Sequence, residues 1–413
     1  MTSILVHGGR KKFESVQLAF DQAQMTQSHK KSDAVLVWHD SLKEKDTFKD
    51  LLIWQVTNRI PSISVLTRKA SLTKLMERAA AAFPSDYNFY PQSFVLPTQI
   101  DEFRKKRDEG NDLWIIKPDE GSLGEGILFS KPGEEINLTS EVYVAQKYIE
   151  SYLIEQKKFD LRVYALVASV KPLRIYVYRD GIVRICSDSI DKDTLYSKLT
   201  NVALNKKTHH QSITEISRLI SEVFPVLQEQ GVDTDMIWRK IDEIVVLTVL
   251  SGIHLISKAA DVHCPYYSYP RCFQILGFDV LLDKNLKPWV LEVNYRPSLD
   301  FHRGPERRMK VDMIHDALKI CAPLQSVQSA LLARKWTWSS NSWRRFAHSN
   351  ETLHTLILAE RTHAEKDVKY VKVFPSIHQK PKCDIIFQTI AAFPAEFVPG
   401  FFVPAKYIKG GEA

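Results

Sequence analysis

Two carboxylates and one amide side chain lie close together on two neighbouring predicted strands. Asp279 belongs to the first strand, Glu292 and Asn294 belong to the second, and a short hairpin turn at 283–285 joins them. All three lie at the strand ends away from the turn, so their side chains can converge on one point. Carboxylate and amide oxygens are the ligands that Mg²⁺ prefers. The pattern predicts a magnesium site, and the alternative is a pair of carboxylates on a solvated sheet face.

A lysine and a glycine-rich loop directly follow another apolar strand. Lys117 ends that strand, and three glycines occur within 121–126. A lysine at this position neutralises phosphate charge, and the backbone N–H groups of a glycine loop can approach phosphate oxygens closely. The segment has no Gly-Lys-Ser/Thr sequence and no dinucleotide fingerprint, so it predicts neither a P-loop nor a Rossmann site. It predicts a nucleotide site of another kind, and the alternative is a simple tight turn.

Cationic residues recur on the strands that precede the carboxylate hairpin. Lys158 and Arg162 open one predicted strand, Arg184 follows a predicted turn at 179–181, and Lys206 lies further along the chain. Arginine forms paired hydrogen bonds with carboxylates and phosphates. If these side chains converge on a magnesium triphosphate, they would stabilise an anionic transition state or bind a carboxylate substrate. Each of them alone would be an ordinary surface charge.

The elements that must position these residues indicate an α+β protein. Short apolar runs alternate with a predicted helix at 13–27 near the N-terminus, and a second helix is predicted at 71–82. From 112 to about 321 the chain is rich in strands, interrupted by a predicted helical stretch at 213–258. Antiparallel strand pairs flanked by helices are typical of the α+β class. The predicted strands span 113–116, 143–148, 162–167, 174–178, 277–282 and 288–293.

The composition is typical of a folded, reduced protein. The chain has 413 residues, of which 44% are hydrophobic and 25% are charged, enough for two or three domains. Its five cysteines are widely spaced without a C-x-x-C pair, so neither a disulfide framework nor a zinc site is predicted. The apolar stretch at the N-terminus is too short for a secretory signal. The longest apolar stretch, 244–256, is too short to cross a membrane and predicts a buried helix.

Positive charge is concentrated towards the end of the chain. The formal net charge is +7, and residues 326–413 carry five more Lys and Arg than Asp and Glu. A basic segment suits an acidic partner such as nucleic acid, a membrane surface or an acidic peptide. The alternative is a solvated surface without a partner.

Together these segments resemble the tubulin tyrosine ligase-like enzymes of the ATP-grasp superfamily, and most closely their polyglutamylase-type members. The resemblance covers roughly 51–324. Its ordered motifs make a chance match very improbable. They are 67–72, 114–127, 146–149, 158–162, 176–184, 199–201, 278–279 and 287–294.

The resemblance implies an ATP-grasp fold, in which antiparallel sheets flanked by helices hold ATP in the cleft between them. It divides the chain into four parts. These are an N-terminal α/β domain at 1–66, a central ATP-grasp domain at 67–145, a C-terminal ATP-grasp catalytic domain at 146–325 and a basic C-terminal tail at 326–413.

The resemblance also assigns nucleotide-binding roles. Two lysines would contact the phosphates, the glycine loop would be a mobile cover over them, 146–149 would be the hinge that holds the adenine, and further polar residues would line the pocket. These residues are Lys69, Lys117, Gly121, Ser122, Gly124, Gly126, Gln146, Lys147, Tyr148, Ile149, Lys158, Asp160, Thr200 and Asn201.

The remaining assignments concern the metal and the reacting groups. Asp279, Glu292 and Asn294 would bind Mg²⁺, as the residues themselves already predict. By resemblance alone, four cations would bind the incoming amino acid or stabilise the acyl-phosphate, and Arg162 and Arg184 would act in catalysis with Glu292. The four cations are Arg162, Arg184, Lys206 and Lys310.

The implied reaction is an ATP-dependent ligation on tubulin. ATP would phosphorylate a glutamate γ-carboxylate in an acidic tubulin tail, and the amine of a free amino acid, expected to be glutamate, would displace the phosphate to form an isopeptide bond. Partners would be tubulin or microtubules, with neither nucleic acid nor membrane. The location would be cytoplasmic and cytoskeletal, with cilium, flagellum and basal body as candidate sites.

Three alternatives stay open. The enzyme could add glycine, because the ATP site would look the same, or it could be a small-molecule ligase, which the tubulin-type motifs disfavour. It could also be an inactive microtubule-binding scaffold of the same fold, although the presence of Asp279, Glu292 and Asn294 argues against this.

Some positions depart from the family pattern. Lys198 stands where a histidine is usual, and Arg296 stands where a small residue is usual, so the acceptor or amino-acid preference is open. The tail is under a hundred residues and does not match the long basic microtubule-binding module. It contains Trp336, Trp338 and Trp343 beside the cationic pair at 344–345, a cluster that predicts either a microtubule contact or tryptophans buried in the core.

Overall fold

The computed structural model of the protein describes most of the chain, and all structural statements below concern that part. The described residues are 3–9, 13–40, 48, 50–120, 125–138, 142–192, 194–200, 216–266, 269–321, 324–333, 339–376 and 380–392.

A small parallel sheet forms the N-terminal part. Its strands lie in the order β2-β1-β3-β4, and helix α1 (Glu14–Gln22) connects the first two along the chain. The helix is shorter than the predicted 13–27, because Gln24 adopts a left-handed backbone conformation and the chain then enters a strand. The strands are β1 (Leu5–His7), β2 (Thr26–Gln27), β3 (Leu36–Val37) and β4 (Val56–Thr57).

A four-stranded antiparallel sheet follows, with the order β5-β8-β6-β7. One face of this sheet packs on helix α4 through a small aromatic core, in which Phe103 lies edge-on to Trp114. Helices α2 and α3 precede the sheet. The elements are α2 (Ser64–Thr67), α3 (Lys69–Ala82), β5 (Ser93–Leu96), α4 (Ile100–Asp108), β6 (Trp114–Pro118), β7 (Leu128–Ser130) and β8 (Tyr143–Lys147).

The largest sheet has seven antiparallel strands. Its main path is β12-β11-β10-β13-β14, with β9 paired to β10 and β15 paired to β11. The strand β15 comes from the last part of the chain, so that part adds to the central sheet. The strands are β9 (Leu153–Ile154), β10 (Lys157–Val170), β11 (Leu173–Ile185), β12 (Ser217–Leu219), β13 (Gln274–Leu282), β14 (Pro288–Asn294) and β15 (Tyr370–Phe374).

The turn predicted at 179–181 is wrong, because β11 continues through it to Ile185. Gly181 pairs with Val163 on β10, and a Cβ atom at Gly181 would come within 2.3 Å of the Arg162 carbonyl oxygen. The glycine therefore permits a close strand approach and does not mark a turn. Arg184 consequently lies within the sheet. The hairpin turn at 283–285 is confirmed, with the Asp283 carboxylate accepting hydrogen bonds from backbone N–H groups of the turn.

The helical stretch predicted at 213–258 is made of three elements in its described part. Strand β12 comes first, paired to β11, and then α6 ends at a left-handed Gly231. Asp233 caps the next helix, α7, by accepting the Met236 N–H. The helices are α5 (Leu195–Lys198), α6 (Ile220–Glu229), α7 (Thr234–His263), α8 (Gly304–Cys321), α9 (Leu324–Leu332), α10 (Ser340–Ser349), α11 (Glu351–Ala364) and α12 (Lys380–Ala391), with short 3₁₀ turns at Lys31–Asp33 and Ile190–Lys192.

Helix α7 is the core helix behind the large sheet, which confirms the buried helix predicted at 244–256. In the described part of the chain it alone is long and apolar enough to cross a bilayer, but 83% of its most apolar window is buried inside the protein. Gly252 lets it approach α2 and α3 closely, since a Cβ there would meet Leu66 at 2.8 Å.

Strand alternation separates a core face from a polar face on the large sheet. On β10, Phe159, Leu161 and Val163 point into the core under α7, whereas the residues between them point the other way. β13 repeats this pattern, with Phe278 and Val280 in the same core. The mixture of helices and antiparallel sheets confirms the α+β class, and the polar face of the large sheet forms one wall of a cleft.

Candidate active site

A deep cleft of about 1130 Å³ lies between the two antiparallel sheets. It is lined by ten lysines and arginines and eight aspartates and glutamates of the described residues. Fifteen of the predicted site residues meet there. They are Lys69, Lys117, Gln146, Lys147, Tyr148, Ile149, Lys158, Asp160, Arg162, Arg184, Thr200, Asp279, Glu292, Asn294 and Lys310.

Of the six other predicted site residues, only Gly126 lies among the described residues. Gly126 begins the exposed approach to β7 with a left-handed backbone, and a Cβ there would meet the Pro118 ring at 2.9 Å. Its neighbours Glu125 and Ile127 line the cleft. Gly121, Ser122, Gly124, Asn201 and Lys206 lie outside the described residues.

A chain of alternating charges crosses three adjacent strands of the large sheet. Arg162 on β10 binds both oxygens of Asp279 on β13, with Nε to Oδ1 at 2.6 Å and the second nitrogen to Oδ2 at 3.1 Å. Arg184 on β11 binds Asp160 in the same two-pronged way, at 2.6 and 2.7 Å, and also reaches Asp279 at 2.8 Å. Thr200 donates its hydroxyl to Asp160. Asp160, Asp279 and Arg184 are thus each held by two partners, and Arg162 is held by two contacts with Asp279.

This network keeps Asp279 and Arg184 ionised although both are largely buried. Burial alone would raise the pKa of the Asp279 carboxyl, but the guanidinium groups of Arg162 and Arg184 hold it well below its usual range. Burial also opposes the charge on Arg184, yet the Asp160 and Asp279 carboxylates hold its pKa well above the ordinary value. The network is therefore a fixed array of charges with defined directions.

Asp279 and Glu292 face each other across the hairpin. They are direct partners in the β13–β14 register, and Gly277 opposite Asn294 forms the next pair on the same face of the hairpin. Burial and the nearby Asp279 carboxylate raise the pKa of Glu292. Asn294 donates to a Glu292 oxygen at 3.3 Å, so its amide oxygen is turned away from that contact. Two carboxylates that repel each other beside an amide fit a hard cation well.

The described residues contain no cluster of three or more His, Cys, Asp or Glu side chains suited to a metal. Asp279, Glu292 and Asn294 offer two carboxylates and an amide oxygen, hard donors that suit an ion with few protein ligands, as Mg²⁺ is when phosphate and water complete its shell. The chemistry of the donor set fits the predicted metal.

The opposite wall of the cleft carries single lysines. Lys117 on β6 donates to the Gln146 amide oxygen at 2.9 Å, and Lys69 at the start of α3 lies 3.9 Å from Glu292. Burial lowers the pKa of Lys117 to about 8, against the attraction of Glu292. Asp119 accepts the Ala70 N–H at 2.8 Å, which fixes the first turn of α3 beside the cleft.

At the hinge between the two sheets, Lys158 lies over the ring of Tyr148 with its Nζ 3.9 Å from the ring centre. Burial lowers the pKa of Lys158 to about 8. Lys198, one of the departures from the family pattern, lies 5.5 Å over the ring of Phe129 on β7. Aromatic rings and lysines thus meet where the adenine site is predicted.

Lys310 lies on α8 at the far side of the cleft, almost fully buried. Its ammonium donates to Glu306 at 2.8 Å, one helical turn away, and to the Asp300 carbonyl oxygen. The second Glu306 oxygen accepts the His302 N–H at 3.0 Å. The predicted amino-acid contact is therefore already held in place by a buried carboxylate.

A model of the tubulin-tyrosine ligase family matches residues 45–330 of the chain, which includes every element of the cleft. The chain belongs to the tubulin-tyrosine ligase family. The resemblance in the sequence is thereby confirmed.

Relatives named as tubulin polyglutamylases are about one third identical to the chain over the aligned residues. The tubulin polyglutamylase TTLL6 of Mus musculus is 32% identical over 319 residues, which cover 74% of this chain and 39% of the relative. The probable tubulin polyglutamylase TTLL2 of Mus musculus is 34% identical over 69% of this chain and 54% of its own length. The probable beta-tubulin polyglutamylase of Tetrahymena thermophila is 30% identical over 75% and 27%. The chain spans about two fifths of the length of the first relative.

Two functional residues of this family site were missed in the sequence. Gly277 allows Arg162 to lie flat against β13, since a Cβ there would come within 3.0 Å of the Arg162 Cδ and 2.8 Å of the Pro297 Cβ. Its place two residues before Asp279 in an apolar strand was a usable signal. Glu306 holds Lys310, and their four-residue spacing places both on one face of α8, a helix that the sequence analysis did not predict.

Proposed function

We propose that the chain is an ATP-dependent ligase that adds an amino acid, in the first place glutamate, to glutamate side chains in acidic tubulin tails. The observation that carries the proposal is the facing pair Asp279 and Glu292. The pair lies between a wall of lysines and a wall of paired arginines in a family cleft.

The lysine wall suits the nucleotide phosphates. Lys69 and Lys117 present ammonium groups from the first turn of a helix and from a strand, where Lys69 lies 3.9 Å from a Glu292 oxygen and Lys117 donates to the Gln146 amide oxygen. An ammonium group on a flexible stem can follow a phosphate as its charge moves. Bound Mg²⁺–ATP would supply the phosphoryl group that activates the acceptor carboxylate.

The arginine wall suits the reacting carboxylates. Arg162 and Arg184 are each fixed by aspartates, so their remaining N–H groups point in set directions. Fixed donors stabilise developing negative charge without a reorganisation cost. Only 13% of each arginine side chain is exposed, and this burial strengthens the same contacts.

Tubulin as the acceptor is supported by the relatives, among which are tubulin polyglutamylases of Mus musculus and Danio rerio. The positive charge of the chain agrees with an acidic acceptor. A protein that modifies tubulin acts at the cytoskeleton, and cilium, flagellum and basal body remain candidate sites within that proposal.

The test is a mass-spectrometric ligation assay with purified protein, ATP, magnesium and microtubules, with each free amino acid supplied in turn. We expect mass increments of 129 Da per added glutamate, about the residue mass, on tubulin tail peptides. Increments with glycine alone would favour the glycine-adding alternative. No increment with any amino acid, in a protein that melts cooperatively, would contradict the proposal.

A further inference from the structure

Beside the main cleft lies a second, very small cavity of about 20 Å³, enclosed by the N-terminal sheet and the segment after β14. Arg296 lines both cavities and is half-buried between them. Arg59 lines the small cavity from the other side. Two guanidinium groups from distant parts of the sequence therefore meet at the edge of the cleft.

Arg59 is buried, with 8% of its surface exposed, and the Asp40 carboxylate lies near enough to favour its charge. Its terminal N–H groups donate to the backbone oxygens of Asn58 at 3.2 Å and His39 at 2.7 Å, and its Nε has no partner among the described residues. Burial and the nearby Arg296 lower its pKa to about 10, against the attraction of Asp40. Burying two guanidinium groups beside one carboxylate is costly.

The arrangement is built by buried contacts. Gln274 accepts the Ile60 N–H at 2.9 Å and donates to the Tyr295 oxygen at 2.5 Å, so it ties the chain beside Arg59 to the chain beside Arg296. Arg296 itself donates to the Asp40 carbonyl oxygen at 2.9 Å. The two arginines are thus held at a fixed separation.

The charge around the small cavity is not balanced. Arg59 and Arg296 face one carboxylate, that of Asp40, which accepts the Trp38 indole N–H at 3.1 Å. His39 also lines the cavity, but burial lowers its pKa to about 4, so it is neutral at pH 7. Among the described residues that line the cavity, two guanidinium groups therefore face one carboxylate, and a further carboxylate would be attracted there.

We propose that Arg296, backed by Arg59, forms a carboxylate subsite that binds a glutamate side chain of the acceptor peptide next to the one being modified. This rests on the proposed function. The cavity has room for little more than the end of a carboxylate, so it cannot enclose a free amino acid. It opens at the cleft edge two residues beyond Asn294, where a peptide could pass while its neighbouring glutamate enters the cleft.

The experiment compares Arg296→Ser and Arg296→Lys with the wild-type protein, using a synthetic glutamate-rich peptide as acceptor. Arg104→Ser on the exposed side of α4 is the matched control. We expect Arg296→Ser to raise the KM for the peptide about tenfold and to leave the KM values for ATP and free glutamate within about twofold, because a charge-assisted contact to one substrate is lost. Arg296→Lys should recover part of the loss.

A second peptide, with glutamines in place of the glutamates that flank the acceptor, completes a double-mutant cycle. It should bind the wild-type protein about tenfold more weakly, and the further loss in Arg296→Ser should be much smaller. Anisotropy of a labelled peptide without ATP provides the same comparison independently of catalysis.

The outcomes separate the two proposals. If the wild-type protein ligates and Arg296→Ser leaves peptide binding unchanged, the subsite is wrong while the proposed function stands. If Arg296→Ser raises the KM for free glutamate instead, the arginine serves the incoming amino acid and the acceptor assignment is overturned. A wild-type protein that neither binds nor modifies the peptide contradicts the proposed function itself.

Discussion

The two walls of the cleft carry their positive charge in different ways. On the four-stranded sheet and α3, Lys117 and Lys69 contact an amide and a distant carboxylate. On the seven-stranded sheet, Arg162 and Arg184 are bound to Asp160 and Asp279 by short paired contacts. One wall therefore carries ammonium groups on flexible stems, and the other, the locked wall, carries arginines held by paired contacts.

The difference follows from the chemistry of the two side chains. A guanidinium has five donors in a rigid plane and can bind an aspartate while still presenting N–H groups elsewhere, whereas an ammonium is a point charge on a flexible chain. Locked arginines suit a group whose position must be fixed before reaction. Lysines, with their flexible stems, suit phosphates whose charge shifts during transfer. The comparison predicts that changes on the two walls will have different kinetic signatures.

The largest expected effect is at the residue between the walls. Glu292→Gln should reduce ligation by more than tenfold, a loss above about 1.4 kcal/mol, because one anionic metal ligand is removed. The melting temperature should not fall, since the change also removes the repulsion between Glu292 and Asp279. Ligation kinetics and thermal unfolding measure both.

Glu150→Gln, at an exposed position, is the matched control for Glu292→Gln and should keep full activity. If Glu292→Gln retained more than about a tenth of the wild-type turnover, Glu292 would not be an essential ligand.

The next largest effect tests an arginine of the locked wall. Arg184→Lys keeps the charge but loses the paired contact with Asp160, so it should raise the KM for the free amino acid about tenfold and the KM for ATP much less. Arg184→Ala would leave Asp160 buried with one fewer counter-charge and should also destabilise the fold by about 3 kcal/mol. Equal effects of Arg184→Lys on both KM values would contradict the assignment.

The sequence predicted the residues of the locked wall but not their pairing. Asp160 was assigned to the nucleotide pocket and Arg184 to the amino acid, as separate roles, and the predicted turn at 179–181 placed Arg184 outside the strand. Their contact depends on the register of β10 and β11, where they are direct partners. β10 and β11 also form a hairpin, but register shifts between Val163 and Ala165 and between Val167 and Ser169 separate this pair from the turn, so motif spacing could not reveal the contact.

By contrast, the closeness of Asp279 and Glu292 was predictable from the hairpin turn at 283–285, but their direct pairing was not. A register shift between Asp279 and Val280 brings Glu292 opposite Asp279, where the spacing from the turn alone would place Leu291. Arg59 and Arg296 lie at the other extreme, because their meeting depends on the N-terminal sheet packing beside β14, which no local pattern encodes. Local elements were thus readable in the sequence, and distant contacts were not.

A smaller effect concerns pH and two buried lysines of the cleft, Lys117 opposite the locked wall and Lys158 at the hinge. Burial places the pKa of both at about 8, so both lose charge as the pH rises through that value. We expect the KM for ATP to rise several-fold between pH 7 and pH 9, because contacts with the nucleotide weaken when the lysines become neutral. Lys158→Arg should flatten this rise, since a guanidinium stays charged in this range.

The pH measurement needs a reference on the locked wall. The KM for the free amino acid should change little over the same interval, because the arginines there stay charged. A KM for ATP that is independent of pH would show that these lysines do not bind the nucleotide.

The smallest expected effect lies outside the cleft, on arginines of the last part of the chain. Trp343 on α10 is fully buried and packs edge-on against Trp54, so the interpretation of this tryptophan as a core residue is confirmed. Trp336 and Trp338 lie outside the described residues. Arg344 and Arg345, on the same helix, are exposed.

Because they are exposed, these two arginines could act only through screened attraction to an acidic surface. Arg344→Ala with Arg345→Ala should weaken microtubule co-sedimentation modestly at low salt and make it less salt-dependent, while ligation of a short peptide stays unchanged. Exposed charge pairs contribute up to about 1 kcal/mol, so the expected loss in affinity is a few-fold at most. Equal sedimentation of the double variant and the wild-type protein at low salt would make these arginines ordinary solvated charges. Microtubule binding would then owe nothing to these two arginines, and the proposed role of positive charge would be confined to the lysines and arginines that line the cleft.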